Sequence, residues 1–213
     1  MKKTFALFAL ALLALPLFAF AQGCNNNPPP GDFVKQRVED LLAVVRSDAE
    51  IKAGNSGKIS AVVQDKVLPY FDFERMTKLA LGRDWKKATP DQQRQLTSEF
   101  RDLLVRTYSN ALSSYKDQKI RYKPDNTKPG DSEALVRTEV VQPGATPIQL
   151  DYSLEAAPNC GGWKVYDVVV AGVSLVTNYR DTFAQEVRAG GIPGLIASLS
   201  AKNKALAAGK KAE

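Results

Sequence analysis

The chain contains no histidine. That removes imidazole general acid–base catalysis, Ser-His-Asp and Cys-His nucleophile systems and His-ligated zinc. Two cysteines remain, Cys24 and Cys160. Without histidine partners they make a poor metal site, and in an oxidising compartment they could form one disulfide, which their spacing does not decide. The carboxylate pairs Glu39/Asp40 and Asp72/Glu74 have atoms suited to acid–base work. On a helix, however, residues one or two apart point in different directions, so neither pair can converge on a substrate. Asp167, inside "WKVYDVVV", is the remaining candidate. It would have to face a cavity with a strongly raised pKa to act as an acid or base. The sequence therefore points away from an enzyme and towards a protein that binds.

The chain ends bear on where it works. "MKK" is a short basic start, followed by the uncharged apolar run "TFALFALALLALPLFAFA". "AFA" at 19–21 supplies small residues for a signal peptidase. Pro16 interrupts the run, so residues 1–21 read as a cleaved secretory signal rather than a membrane-spanning anchor, and a bacterial periplasmic location is expected. "AQGC" offers a second reading, a lipobox with Cys24 as a lipidated N-terminus, although the usual leucine is missing and Gln22 sits before Gly23. Residues 22–31, through "NNNPPPG", read as a flexible tether. The formal charge is +6, from 29 basic and 23 acidic residues, and loss of Lys2 and Lys3 would leave +4. Mild basicity suits an anionic lipid surface or an acidic partner. Clustered Lys/Arg with interleaved aromatics is absent, so no nucleic-acid partner is expected.

The elements that would position a site follow from periodicity. In "DFVKQRVEDLLAVVR", Val34, Val38, Leu41, Leu42 and Val45 share a helical face, and Ile59, Val62, Val63 and Val67 form a second stripe up to Pro69. Asp72 and Gly82 bracket a third helix as N-cap and C-cap. "TPDQ" at 89–92 is a capping-box pattern with proline at the first helical position. Behind it Leu96, Phe100, Leu103, Leu104, Tyr108, Ala111, Leu112 and Tyr115 predict one helix over 90–117.

The period then changes. "KIRYK", "EALVRTEVV", "IQLDYSLE" and "WKVYDVVV" read as four strands of an antiparallel meander, joined by Pro- and Gly-rich turns. Strict alternation puts Trp163, Val165, Asp167 and Val169 on one face of the last strand, and Lys164, Tyr166, Val168 and Val170 on the other. The strand ends apolar on both faces, so each needs a cover. Beyond it Leu175, Val176, Tyr179, Phe183 and Val187 form a helical stripe that "GG" at 190–191 breaks before a short final helix. Residues 32–203 thus form one α+β domain, a curved four-stranded antiparallel sheet under N-terminal helices, a long helix and C-terminal helices, and 204–213 is a basic tail.

"KVLPYFDFERMTKLALGRDWKKATPDQQ", "EFRDLLVRTYSNALSSY", "GWKVYDVVVAGVSLVTNYR" and "GGIPGLIASL" resemble, in order from about Asp32 to Asn203, the MlaC or toluene-tolerance family of periplasmic phospholipid-transport proteins. Tyr70 stands where that family suggests histidine, and Pro193 where an acidic residue is common. The resemblance implies a nuclear-transport-factor-like sheet around an internal apolar pocket that holds the tails of a diacyl phospholipid, with no other cofactor. It also implies two partners: an outer-membrane lipoprotein–porin complex and the MCE-domain ring of an inner-membrane ABC transporter. Shuttling between them would maintain outer-membrane lipid asymmetry.

On that reading the cover for the second strand face is lipid. The expected lining is Phe71, Phe73 and Met76 at the third helix, Phe100, Leu104 and Tyr108 on the long helix, and Leu150, Tyr152, Tyr166, Val168, Val170 and Val173 from the sheet. All of these could equally be ordinary core. A glutamate at Val173 is expected to abolish lipid retention. Arg83, Trp85, Lys86 and Arg180 are the expected docking or headgroup-proximal residues; Arg180 could instead cap local structure. The alternative is a lipoprotein-anchored interaction module that carries no lipid.

Overall fold

The computed structural model describes residues 27–115, 118–157 and 161–208. Residues 1–21, expected to be a secretory signal, both cysteines and the chain from 209 onward lie outside the described residues. Helix α1 spans Pro30–Ser47, α2 Ala49–Lys52, α3 Ser56–Lys66, α4 Phe73–Leu81, α5 Pro90–Tyr108 and α6 Arg180–Ala207. Short 3₁₀ turns follow α3 at Leu68–Tyr70, α4 at Gly82–Lys87 and α5 at Ser109–Leu112. The strands are β1 (Lys119–Tyr122), β2 (Glu133–Val141), β3 (Ile148–Ala156), β4 (Trp163–Val170) and β5 (Val173–Ser174).

The helices begin where local chemistry places them. Asp72 Oδ1 accepts the Arg75 amide at 2.8 Å to start α4. At α5 the capping box is complete, Thr89 Oγ1 accepting the Gln92 amide at 3.3 Å and Gln92 Oε1 accepting the Thr89 amide at 2.9 Å. The long helix is shorter than its apolar pattern suggests, because the chain tightens into the 3₁₀ turn after Tyr108. Gly191, at φ 65° and ψ −170°, kinks α6 where the Gly-Gly break is expected, and Pro193 restarts the helix two residues on. Helix α1 opens at Pro30, inside the stretch expected to be tether. Just before it, the Pro28 carbonyl accepts a hydrogen bond from the buried Trp163 Nε1 at 2.8 Å.

The five strands form one antiparallel sheet in chain order, one strand more than periodicity reveals because β5 is only two residues long. The register contains a β-bulge. Ser153 pairs with Asp167 but Leu154 pairs with Val165, leaving Tyr166 as the extra residue on β4. The bulge slips the alternation by one. Trp163, Val165 and Val168 are all buried in one apolar cluster with Val136 and Leu154, and Val170 packs against it. The strict two-residue pattern predicted for β4 is therefore wrong beyond Tyr166, for a reason periodicity cannot supply.

Apolar side chains gather into three clusters: α4, α5 and α6 around Phe100 and Leu195, the sheet face with α1, and the α1–α3 group around Ile51 and Ile59. At the junction of α5 and α6, Asn203 Nδ2 donates to the Glu99 carbonyl and side-chain oxygens at 2.9 and 2.7 Å. None of the described helices is long and apolar enough to cross a membrane.

Candidate functional site

A cavity of about 200 Å³ opens where the three clusters meet. Leu41 of α1, Val63 of α3, Val67 and Leu68 close one side; Phe71, Phe73 and Met76 close another; Leu104, Val105, Tyr108, Ser109 and Leu112 form the α5 wall; Val168 and Leu175 complete it. Hydroxyls of Tyr108 and Ser109 are the polar side-chain groups in this lining. A second chamber of about 140 Å³ lies between α1 and the sheet, lined by Phe33, Val34, Val38, Tyr152 and Val165, with Arg37, Lys66 and Tyr70 also contributing. Leu41, Val67 and Phe71 belong to both linings, so three apolar side chains partition one apolar region in two.

Backbone geometry holds that partition in place. Phe71 forms an isolated parallel bridge with Val165, and the Asp72 amide donates to the Val165 carbonyl at 2.9 Å. The Phe71 and Phe73 rings stack with centroids 5.7 Å apart at 20°. Behind the sheet, Asp167 is locked into the β4–β5 turn. It accepts hydrogen bonds from the Val168 and Val176 amides at 2.9 and 3.2 Å and from the Ser174 hydroxyl at 2.6 Å. Asp167 thus works as a turn anchor, and the bulge sets it on the face opposite Val168. Burial keeps the Tyr152 phenol neutral well above its ordinary range.

Six of the twelve expected lining residues, Phe71, Phe73, Met76, Leu104, Tyr108 and Val168, meet in the larger chamber. Tyr152 lines the smaller one. Phe100 does not reach either. It is fully buried, its ring edge-on to Tyr179 and Phe183 with centroids 5.1 Å away, because this stripe of α5 faces α6. Leu150 and Val170 pair with each other and sit half-buried beside the chambers. Tyr166, thrown out of phase by the bulge, carries the Arg75 guanidinium 3.6 Å above its ring, and Arg75 also pairs with Glu133 and Glu155. Val173 is 54% exposed on the β4–β5 hairpin and is not among the lining residues.

The expected docking residues are also redistributed. Trp85 is buried among α4, α5 and α6, and its carbonyl accepts from Gln93 Nε2 at 3.2 Å. A buried core residue cannot dock a partner. Arg83 and Lys86 are exposed on the 3₁₀ turn after α4. Arg180 Nη2 donates to the Leu79 carbonyl at 3.1 Å, capping the end of α4. Sequence reasoning missed Leu68 and Val105 altogether and assigned Leu41, Val63, Val67, Leu112 and Leu175 to unspecified core. Their helical periodicity was visible, but which stripe borders empty space was not.

A curved antiparallel sheet closed by helices over a divided apolar cavity defines the class, an α+β protein with an apolar pocket between its layers. Residues 35–201 match the family model described as MlaC protein, and the chain belongs to that family. It is 24% identical over 200 residues to the intermembrane phospholipid transport system binding protein MlaC of Haemophilus influenzae, covering 93% of this chain and 92% of the relative. It is 28% identical over 182 residues to the toluene tolerance protein ttg2D of Pseudomonas putida, covering 84% and 80%. Among solved structures, a phospholipid-binding protein from Ralstonia solanacearum in complex with a phospholipid superposes with a TM-score of 0.78. That pair is 39% identical, covering 84% of this chain and 99% of the other.

Proposed function

We propose that the chain is a periplasmic carrier of diacyl phospholipid, with the acyl tails in the divided apolar cavity and the headgroup at its rim. The observation that carries this reading is the apolar cavity between helices and sheet, in a fold whose 39%-identical neighbour is described as bound to a phospholipid. At about 200 Å³ the larger chamber falls below the roughly 300–1,000 Å³ typical of ligand pockets, so loading requires the partition at Leu41, Val67 and Phe71 to open and join the chambers.

Magnitudes dictate how cargo leaves. Burying a methylene is worth roughly 0.8 kcal/mol, so about 30 methylenes would resist release into water by roughly 24 kcal/mol. Lipid must pass directly into another apolar site. The reading therefore includes two membrane-bound partners, an outer-membrane lipoprotein–porin complex and the MCE-domain ring of an inner-membrane ABC transporter, with net transfer set by their relative affinities. Traffic of this kind would maintain outer-membrane lipid asymmetry. No catalysis is part of the proposal.

Native mass spectrometry of the mature protein, purified without detergent and followed by solvent extraction, tests it. A stoichiometric adduct that extracts as phospholipid supports the carrier. A clean protein mass that persists after incubation with phospholipid vesicles refutes it and favours an interaction module without cargo.

A further inference from the structure

The rim of the smaller chamber holds an unusual donor. Arg37 of α1 lies among aromatic rings, its guanidinium carbon 5.7 Å from the Phe33 centroid and 5.0 Å from that of Tyr70. Its Nη1 donates to the Tyr70 hydroxyl at 2.8 Å and lies 3.6 Å from the Asp40 carboxylate. Its Nε is enclosed and has no acceptor. Proteins seldom leave a buried N–H of a charged group without an oxygen to receive it. Hydrocarbon in the chamber could not supply that oxygen. A phosphodiester, held where two acyl tails converge, could, and its oxygens suit a guanidinium.

Lys66 of α3 contributes to the same lining. Its ammonium is 2.9 Å from Asp65, and Asp40 and Tyr70 lie within its electrostatic reach. Asp40 and Asp65 offset the two cations, so the rim has no large net charge to attract bare anions. What it offers is placed donors beside an apolar chamber. A second basic surface, the groove of Arg101 and Arg106 between α3 and α5, shares Leu68 and Val105 with the larger chamber. There the Arg101 guanidinium is already bonded to Asp102 at 3.0 and 2.9 Å and to Ser98 at 3.3 Å.

We propose that Arg37 and Lys66 form the phosphodiester site of the carried lipid, with Lys66 Nζ and, once the partly exposed Arg37 side chain turns to uncover it, Arg37 Nε donating to its non-bridging oxygens. The tails pass inward on either side of Phe71. This assignment rests on the carrier reading and gives it a headgroup end.

The test uses the mature full chain, stripped of lipid and reloaded with either dioleoyl phosphatidylethanolamine or dioleoylglycerol, which lacks the phosphodiester. Retention against excess empty vesicles is read by native mass spectrometry. Arg37→Gln should lower phospholipid retention about tenfold, the loss of one charge-assisted hydrogen bond, and Lys66→Gln several-fold. Dioleoylglycerol retention should be unchanged in both, and Arg106→Gln should behave as wild type with either lipid. Lys66 is exposed, so Lys66→Gln decides the matter if Arg37→Gln fails to fold. Equal loss of both lipids, or wild-type phospholipid retention in Arg37→Gln and Lys66→Gln, overturns the assignment while leaving the carrier intact. So does inorganic phosphate that binds wild type and not Arg37→Gln while lipid retention is unaffected. Uptake of neither lipid by the wild type overturns the carrier reading itself.

Discussion

Phe71 is tied to Val165 by a backbone bridge, while its ring belongs to the partition between the two chambers. The backbone at this point is held by the sheet, so the partition opens through the Phe71 side chain or through movement of α1 and α3. Phe71→Ala removes the ring without breaking the bridge. It should join the chambers and speed lipid uptake from vesicles, at a stability cost of roughly 2 kcal/mol, below the 3–5 typical of a fully buried phenylalanine. Urea denaturation and a fluorescent-lipid uptake assay measure the two effects; unchanged uptake would mean that Phe71 is no barrier.

Val105 and Val173 separate lining from surface. Val105 is half-buried on the cavity wall, whereas Val173 is 54% exposed on a hairpin. Val105→Trp should fill the larger chamber and abolish lipid retention while costing about 1–3 kcal/mol for overpacking. Val173→Glu should shift stability by no more than about 0.5 kcal/mol and leave retention at the wild-type level, reversing the effect expected from the sequence. Loss of lipid in Val173→Glu would place the hairpin on the lipid's path.

Gly162 should be intolerant of any side chain. It has φ of 94°, and a Cβ there would lie 3.1 Å from the Phe33 ring. Gly162→Ala combines left-handed strain with displacement of Phe33, which also lines the smaller chamber, and should destabilise by about 1–3 kcal/mol. A melting temperature equal to wild type would show that the turn relaxes freely.

Alkaline pH should unfold the protein through half-buried phenols. Burial, with the Glu39 charge as a lesser cause, pushes Tyr122 up to about 12, and burial beside Tyr108 does the same for Tyr179. Both values are raised above the ordinary 10, so the neutral forms favour the fold. Their contribution is fully present below pH 10 and is lost as pH rises through about 12. Phenolate absorbance should therefore lag in the native protein and rise abruptly on unfolding. Tyr122→Phe, which removes one such group, should flatten the loss of stability above pH 10.

Much of the fold was legible in local chemistry. The capping box at Thr89 and Gln92, the Asp72 cap and the Gly191 break are short-range events that a few adjacent residues decide. The meander also follows from short turns. Of the candidate site, the cluster "FDFERM" and the Leu104 stripe were recoverable because amphipathic faces must point inward. The rest was not. Whether Leu104 or Phe100 borders the cavity depends on where α6 packs, and nothing within α5 records that.

Residue types and spacing by themselves determined an α+β chain without imidazole chemistry, with amphipathic helices around an antiparallel meander. Only the tertiary structure decided that Tyr166 is a bulge residue stacked under Arg75, that Trp85 is core, and that Arg37 rather than Arg83 or Lys86 stands at the chamber rim. The physical reason is that periodicity reports which side of an element is apolar. What that side meets, another helix or empty space, is fixed by the register and packing of residues far apart in the chain.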